Sequence, residues 1–167
     1  MYTVSVTGLK PDKLYGYNLN NKKWGILFHK FQELIIARKA TNAITSMDLG
    51  VNTVFAMAVL NLRDKKHYPI KLKCILPCYN MTDMWVSNID VRRYNRILTC
   101  ANDVEYVTES TYIPRCFYKR NQRIVQESDE MFAVWDGKHG EPHCVNYAKY
   151  KRLPLTILLN EEGELIE

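Results

Sequence analysis

The sequence lacks the long apolar stretches that mark membrane-spanning chains and the composition of disordered ones. No apolar run approaches the roughly 20 residues that a bilayer-spanning helix requires. The chain starts without the basic segment and apolar core of a secretory signal. An apolar content of 47%, with eleven tyrosines and three tryptophans, excludes a disordered chain. We therefore expect a soluble, cytoplasmic protein with no membrane partner.

Cysteine and histidine are present without the spacing of a metal site or a disulfide framework. The five cysteines are odd in number and include no CxxC pair, so buried, reduced thiols are expected. His139 and His143 lie four residues apart, but no nearby cysteine or carboxylate array completes a coordination sphere. The sequence therefore predicts no metal site and no cofactor.

Groupings typical of nucleophilic catalysis are also missing, as are internal repeats and linkers. No set of serine, histidine and aspartate and no pair of cysteine and histidine stands out, so the residues by themselves do not predict an enzyme.

At 167 residues the chain is close to the commonest size for one domain. We predict a single domain over residues 1–167.

Apolar runs alternate with helical patterns along the chain. This alternation is typical of a mostly parallel sheet with helices on both faces, which is a three-layer α/β sandwich. Strands are predicted at residues 3–6, 42–45, 71–76, 103–107, 131–135 and 155–159. Helices are predicted at residues 22–38, from 51 through 62, from an N-cap at Thr82 through 97, from Pro114 to about 126, and at 144–152.

Glycine turns follow two of the predicted strands. Gly8 follows the first strand, and Gly50 lies between the second strand and the second helix. In an open parallel sheet such turns lie at the carboxyl ends of strands, where backbone N–H groups and helix N-termini hold anions. A third loop, residues 136–142, carries Gly137 and Gly140. Three loops at one edge predict a phosphate-bearing ligand, although a glycine can also serve only to make a tight turn.

The motifs occur in an order that carries a resemblance over almost the whole chain. They are Thr7-Gly8-x-Lys10-Pro11-x-x-Leu14-x-Gly16-Tyr17, Thr45-Ser46-Met47-Asp48-Leu49-Gly50-Val51-Asn52, Leu76-Pro77, Trp85 with Arg93-Tyr94, Arg120-Asn121, Asp129, Trp135-Asp136-Gly137 and Asn146-Tyr147-Ala148. This order resembles the YpsA-like family of the SLOG superfamily, a Rossmann-like group that includes cytokinin-activating phosphoribohydrolases and the DNA-processing protein DprA. The resemblance implies a Rossmann-like fold and a nucleotide-like ligand.

Two departures from the family pattern weaken the case for a shared activity. Ser46, Asp48 and Asn52 stand where the family more often has Gly, Ala and Asp, and Asp48 would repel phosphate unless it faces a ribose hydroxyl. In the last loop, Gly140-Glu141-Pro142-His143 replaces a glycine-glycine-threonine sequence whose small residues let the backbone approach phosphate. The proline-glycine-glycine-x-glycine-threonine loop of the phosphoribohydrolases is absent, so their activity is not implied.

The candidate ligand-binding residues are those that the loops and the resemblance bring to the predicted edge. They are Thr7, Gly8, Lys10, Pro11, Tyr17, Ser46, Asp48, Gly50, Asn52, Pro77, Arg120, Asn121, Asp136, Gly137, Gly140 and His143. Lys10 is either a surface charge or a phosphate contact, and His143 is a candidate hydrogen-bond donor to phosphate. Asp136 is either a ligand-facing carboxylate or a simple turn former. Ribose selection is expected from Asp48, Asn52 or Asp136, and base stacking from Tyr15, Tyr17 or Tyr79.

The leading hypothesis is a binding protein that senses or sequesters a nucleotide or a nucleotide-derived signal. One alternative is hydrolysis of a nucleotide N-glycosidic bond, with a carboxylate at the sugar from Asp48, Asp136 or Glu141. The other alternative is single-stranded nucleic-acid binding, which the net charge of +5 allows. It draws on a basic helix face made of Arg115, Lys119 and Arg123, which a solvated surface or an interface explains better than a ligand contact does.

Self-association is also expected. SLOG relatives commonly form dimers or larger assemblies, so the resemblance implies a homo-oligomer. The second helix adds a reason from the residues, because it is apolar nearly all round and would not face water.

Overall fold

Six strands form one sheet in the computed structural model, which describes residues 1–167. The strands are β1 (Thr3–Gly8), β2 (Asn42–Thr45), β3 (Lys71–Leu76), β4 (Asp103–Tyr106), β5 (Glu130–Val134) and β6 (Leu155–Ile157). Their spatial order is β4-β3-β2-β1-β5-β6, and every neighbouring pair is parallel. The prediction of a mostly parallel sheet is confirmed.

Five α-helices cover both faces of this sheet. They are α1 (Lys22–Ala37), α2 (Val51–Asp64), α3 (Asn88–Cys100), α4 (Cys116–Glu127) and α5 (His143–Tyr150). Alternate residues of the strands face α1, α2 and α3 on one side and α4 and α5 on the other, as Val4 and Ile44 illustrate. The arrangement is the predicted three-layer, Rossmann-like sandwich.

The side of the sheet on which successive strands are added changes at β1. From β1 it builds β2, β3 and β4 on one side, and it then returns to place β5 and β6 on the other side. Gly8, the last residue of β1, pairs with Val134, the last residue of β5. The carboxyl ends of both strands therefore meet at a topological switch point, where ligands bind in open α/β sheets.

Helix α2 is the most deeply buried helix. Its apolar side chains pack against the sheet, α1 and α3, and the ring centroids of Phe55 and Phe31 lie 5.1 Å apart. This burial within one chain removes the argument for self-association that rested on the apolar second helix. Self-association implied by the family resemblance stays a prediction.

The start of the third helix was wrongly predicted at Thr82. Helix α3 begins at Asn88, with Ser87 as the N-cap, and the Ser87 hydroxyl accepts a hydrogen bond from the amide of Asp90. Residues 79–84 form turns, and Val86, which lies inside the predicted helix, is fully exposed. The serine followed three residues later by an acid was the better helix-start signal.

Smaller corrections concern helix α4, four strand ends and one thiol. Arg115 adopts a left-handed conformation with φ of 67° and precedes α4, so Pro114 lies outside the helix. Strand β1 extends two residues further than predicted, to Gly8, while β4, β5 and β6 end earlier than predicted. Cys100, at the end of α3, is exposed, whereas the other four cysteines are buried as expected. No helix has the length and apolarity needed to cross a membrane.

Candidate ligand-binding cleft

A cleft of about 930 Å³ opens at the carboxyl edge of the sheet, at the switch point beside β1. Its walls come from the loops after β1 and β2, from one face of α4 and from the start of α5. This volume lies within the range that small-molecule sites occupy. Twelve of the sixteen candidate residues line it, namely Thr7, Gly8, Lys10, Pro11, Tyr17, Ser46, Asp48, Asn52, Arg120, Asn121, Gly140 and His143.

The first loop is held close to its neighbours by Gly8. A Cβ atom at this position would lie 2.7 Å from Cγ2 of Val51 and 3.0 Å from Cβ of Val134. Only glycine therefore lets the end of β1 approach both β5 and the first turn of α2. The amide of Leu9 continues the ladder by donating to the carbonyl of Val134 at 3.2 Å. Lys10 follows at the rim of the cleft, with an exposed side chain.

The second loop is locked by hydrogen bonds within itself. The side-chain oxygen of Asn52 accepts from the amide of Ser46 at 2.9 Å and from the hydroxyl of Thr45 at 3.2 Å. The hydroxyl of Thr53 donates to the carbonyl of Asp48 at 3.1 Å. These bonds fix the backbone around Asp48, whose side chain lines the cleft. The side-chain oxygen of Asn52 already accepts from two donors of the loop, so its role is to stabilise the loop.

Two helices begin at the cleft without a side-chain cap. Helix α2 starts after Gly50 and α5 starts after Pro142, and neither capping residue has a side-chain hydrogen bond to the helix. The N–H groups of a first helical turn have no intrahelical acceptor, and the helix dipole favours negative charge there. Val51 and Asn52 of α2, and His143 of α5, line the cleft. Both helix starts are therefore suited to an anionic group.

Gly50 itself lies behind this surface. Its φ of 87° and ψ of −110° belong to a region that side-chain-bearing residues rarely adopt. A Cβ atom there would lie 2.8 Å from Cγ of Pro11 and 3.1 Å from the Trp24 ring. The structure thus places Gly50 in the packing between the first two loops and not on the wall of the cleft.

Three other candidates also lie off the cleft wall. Asp136 accepts hydrogen bonds from the amides of Lys138 and His139, both at 2.8 Å, and from the His139 ring at 2.7 Å. The bonds from His139 and Lys138 hold the pKa of the Asp136 carboxyl far below its ordinary value. Gly137 packs near Ile157. Pro77, at the end of β3, does not line the cleft either.

One wall carries a continuous network of polar side chains. The guanidinium of Arg120 donates to both carboxylate oxygens of Asp48, at 2.8 and 3.0 Å. The same guanidinium donates twice to the side-chain oxygen of Asn121, at 3.1 and 2.9 Å. The Asn121 amide nitrogen lies 3.2 Å from Nδ1 of His143. Arg120 is only 5% exposed, so this network is part of the built wall.

Aromatic and apolar side chains form the remaining surface. Trp85, Met81, Phe117 and Tyr17 line the cleft. Of the three tyrosines expected to stack on a base, only Tyr17 is placed there. Tyr15 packs edge-on against Trp24, and Tyr79 against Tyr106.

The sequence predictions missed Phe117 and the lining roles of Met81 and Trp85. Phe117 lies on the same face of α4 as Arg120, Asn121 and Ile124, at helical steps of three and four residues. That spacing was the signal that could have found it. The three residues of the predicted basic face, Arg115, Lys119 and Arg123, do not line the cleft. Arg123 pairs instead with Glu127 and Glu105.

A metal site is not built by these residues. No three histidine, cysteine, aspartate or glutamate side chains come together in a group able to hold a metal ion.

Fold and cleft together define a Rossmann-like α/β protein with a candidate ligand site at the switch point of its sheet. The sequence profile of YpsA, described as the YspA SLOG family, matches residues 4–154. The chain belongs to this family, and the resemblance predicted from its motifs is confirmed.

Several relatives are similar over most of their length. The chain is 29% identical over 130 residues to the SPbeta prophage-derived protein YoqJ of Bacillus subtilis (strain 168), covering 71% of this chain and 75% of that protein. It is 28% identical over 158 residues to a UPF0398 protein of Bacillus cereus (strain G9842), covering 90% and 84%. A UPF0398 protein of Lactobacillus acidophilus is 25% identical over 174 residues, covering 95% and 89%.

A solved structure shares the fold. DNA processing protein A from Helicobacter pylori, whose structure is described for its single-stranded DNA binding mode, matches with a TM-score of 0.62 and 19% identity. The match covers 98% of this chain and 68% of that one. It supports the architecture described above.

Proposed function

We propose that this protein binds a phosphate-bearing small molecule, a nucleotide or a nucleotide-derived signal, in the cleft beside β1. The observation that carries the proposal is the meeting of two uncapped helix starts, those of α2 and α5, with the Gly8 turn in one cleft. Backbone amides at such positions bind phosphate in other open α/β proteins.

Charge and shape support the same ligand class. Lys10, Lys13 and His143 line the cleft. Trp85 and Tyr17 line it as well and supply flat apolar surface of the kind that a base ring packs against. This lining suits a ligand that carries both an anionic group and a flat ring.

Binding is favoured over hydrolysis by the state of the three carboxylates suggested for catalysis. Asp48 is paired with Arg120, Glu141 with Lys149 at 3.2 Å, and Asp136 with the residues of its own loop. A general base must be free to take a proton from water or substrate. Asp136 and Glu141 are engaged by neighbouring donors, and Asp48, which keeps open lone pairs on the cleft wall, has its charge balanced by Arg120.

Isothermal titration of the full chain with nucleoside 5′-monophosphates and with the matching nucleosides tests the proposal. We expect the monophosphates to bind at least tenfold more tightly, because only they reach the helix starts with a phosphate. Lys10→Ala should weaken monophosphate binding about three- to tenfold at low salt, since it removes one exposed charge. Lys71→Ala, an exposed lysine at the opposite edge of the sheet, is the matched control and should leave affinity unchanged.

Other outcomes of the same titrations contradict the proposal. Release of free base during incubation with monophosphates or dinucleotides would establish the hydrolase alternative. Binding confined to single-stranded oligonucleotides, with a steep loss of affinity as salt rises, would establish the nucleic-acid alternative. No binding of monophosphates at millimolar concentration would remove the proposed function.

A further inference from the structure

The polar network on the cleft wall carries more information than the presence of a phosphate site. Its two ends are Asp48, from the loop after β2, and His143, at the start of α5. Arg120 and Asn121 join these ends. Each side chain in the series has a defined hydrogen-bonding role, and those roles limit what the cleft can recognise.

Arg120 uses four of its five N–H donors within the wall. A guanidinium has five N–H donors, and here four hydrogen bonds run from it to Asp48 and Asn121. Because it is also 5% exposed, it has almost no surface with which to meet a ligand. Arg120 is therefore a positioning residue and not the phosphate contact.

Asp48 retains open acceptor capacity. A carboxylate offers about four lone-pair directions, and the two bonds from Arg120 occupy one on each oxygen. The side chain is 44% exposed, and it lines the cleft. Its charge is balanced by Arg120, so an anionic ligand is not driven off as it would be by an unpaired carboxylate. Two oxygens held rigidly side by side are an acceptor pair for two neighbouring hydroxyl groups.

The opposite end of the network is a donor. The Asn121 oxygen accepts from Arg120, so its amide nitrogen faces Nδ1 of His143 and donates to it. In the neutral imidazole the proton then resides on Nε2. The wall thus offers an acceptor pair at Asp48 and a single donor at His143.

The other two groups considered for sugar recognition are engaged elsewhere. The Asn52 oxygen accepts from Ser46 and Thr45, and Asp136 lies off the cleft wall with three donors on its carboxylate. Among the three, only Asp48 combines a position on the wall with free lone pairs.

We infer that Asp48, held by Arg120, reads the 2′ and 3′ hydroxyls of a ribose, so that the cleft selects ribonucleotides over 2′-deoxyribonucleotides. This inference rests on the proposed function, because it assigns the sugar of the same ligand. An adjacent hydroxyl pair satisfies both oxygens of the carboxylate, whereas a deoxyribose satisfies one and leaves the other without its partner.

The test is titration of the full chain with the four ribonucleoside 5′-monophosphates and their four 2′-deoxy counterparts. We expect a ribose preference of about tenfold or more, the usual effect of one hydrogen bond to a charged group. Asp48→Asn and Asp48→Glu should reduce the preference to less than threefold, the first by removing charge and the second by moving the oxygens. Deoxyribonucleotide affinity should change little in comparison.

Arg120→Gln should lower the ribose preference in the same way, and Arg120→Lys should restore part of it. A purely structural role for Arg120 would weaken both nucleotide classes equally and leave their ratio unchanged. Asp64→Asn is the matched control, because Asp64 forms a similar pair with Arg63 at the far end of α2. Circular dichroism of each variant verifies folding.

The possible failures are distinguishable. Equal binding of the two sugar classes by the unaltered protein would overturn the ribose inference and leave nucleotide binding standing. A ribose preference that persists in both Asp48 variants would also overturn it. Absence of binding by either class would remove the proposed function together with this inference.

Discussion

The guanidinium of Arg38 donates to the carboxylate of Glu130 at 2.9 Å, at the end of the sheet opposite the cleft. Glu130 is 4% exposed, and Tyr2 and Thr156 also donate to it. Burial alone would raise the pKa of Glu130, but the bonds from Thr156, Arg38 and Tyr2 outweigh it, and the pKa lies below its ordinary value. This buried carboxylate joins the carboxyl end of α1 to β5, β6 and the residue before β1.

The first prediction concerns acid stability. Because the folded pKa of Glu130 is lowered, its contribution is complete above the unfolded pKa of about 4.3. It is lost as the pH falls from there through the folded value. Urea unfolding between pH 7 and pH 3 should show Glu130→Gln to be less stable than the unaltered protein by about 1–3 kcal/mol at pH 7. The gap should narrow below about pH 4, and parallel curves would contradict this assignment.

The second prediction contrasts two glycines. Gly50→Ala should cost about 1–3 kcal/mol or more, because φ is 87° and the new Cβ meets Pro11. Gly25, inside helix α1, has nothing within 4 Å of an added Cβ, so Gly25→Ala should stabilise the fold by about 0.5–1 kcal/mol. Thermal unfolding of both variants gives the comparison. Equal effects at the two positions would show that the backbone at Gly50 is not strained for other residues.

The third prediction tests the close approach between Gly8 and Val51. Gly8→Ala should destabilise the protein because the new Cβ would lie 2.7 Å from Cγ2 of Val51. Shortening the partner with Val51→Ala relieves that clash, so the double variant should lose less stability than the sum of the two single variants. Denaturant unfolding of all four proteins measures this coupling, which neighbouring side chains commonly show at about 0.5–3 kcal/mol. Strict additivity would mean that the first loop moves away instead.

The fourth prediction concerns thiol reactivity. Cys100 is exposed, whereas burial raises the pKa of Cys74 and of Cys144 to about 12. Since the thiolate is the reactive form, a disulfide reagent at pH 8 should label one thiol quickly in the native protein and five after denaturation. Cys100→Ser should abolish the fast phase. Rapid labelling of a second thiol would reveal local opening around a buried cysteine.

The sequence predicted the sheet well because its strands are short apolar runs between clear turns. The bounds of β2 and β3 agree with the prediction residue for residue. The start of α3 was harder to predict from the sequence. Val86 and Ile89 continue an apolar spacing that suggests a helix, although both side chains are exposed. Local pattern cannot distinguish a buried apolar face from one left open to solvent.

The candidate site also has a part that the sequence predicts and a part that it does not. Gly8 and Lys10 follow directly from the position of β1, and they line the cleft as a strand-end loop should. The pairing of Asp48 with Arg120 joins residues 72 positions apart, and it exists because α4 packs against β1 and β3, the strands on either side of β2. Which face of α4 turns inward is set by that packing, so the sequence could offer Arg120 as a candidate but could not name its partner.

The loop after β5 has a consequence for the speed of ligand capture. The Trp135 indole donates to the carbonyl of His139 at 2.7 Å, and the carboxylate of Asp136 accepts from the amides of Lys138 and His139. A loop that these hydrogen bonds already order loses little conformational entropy when a ligand binds, which is the benefit of preorganisation. Under the proposed function, ligand association should therefore need no slow rearrangement of this loop.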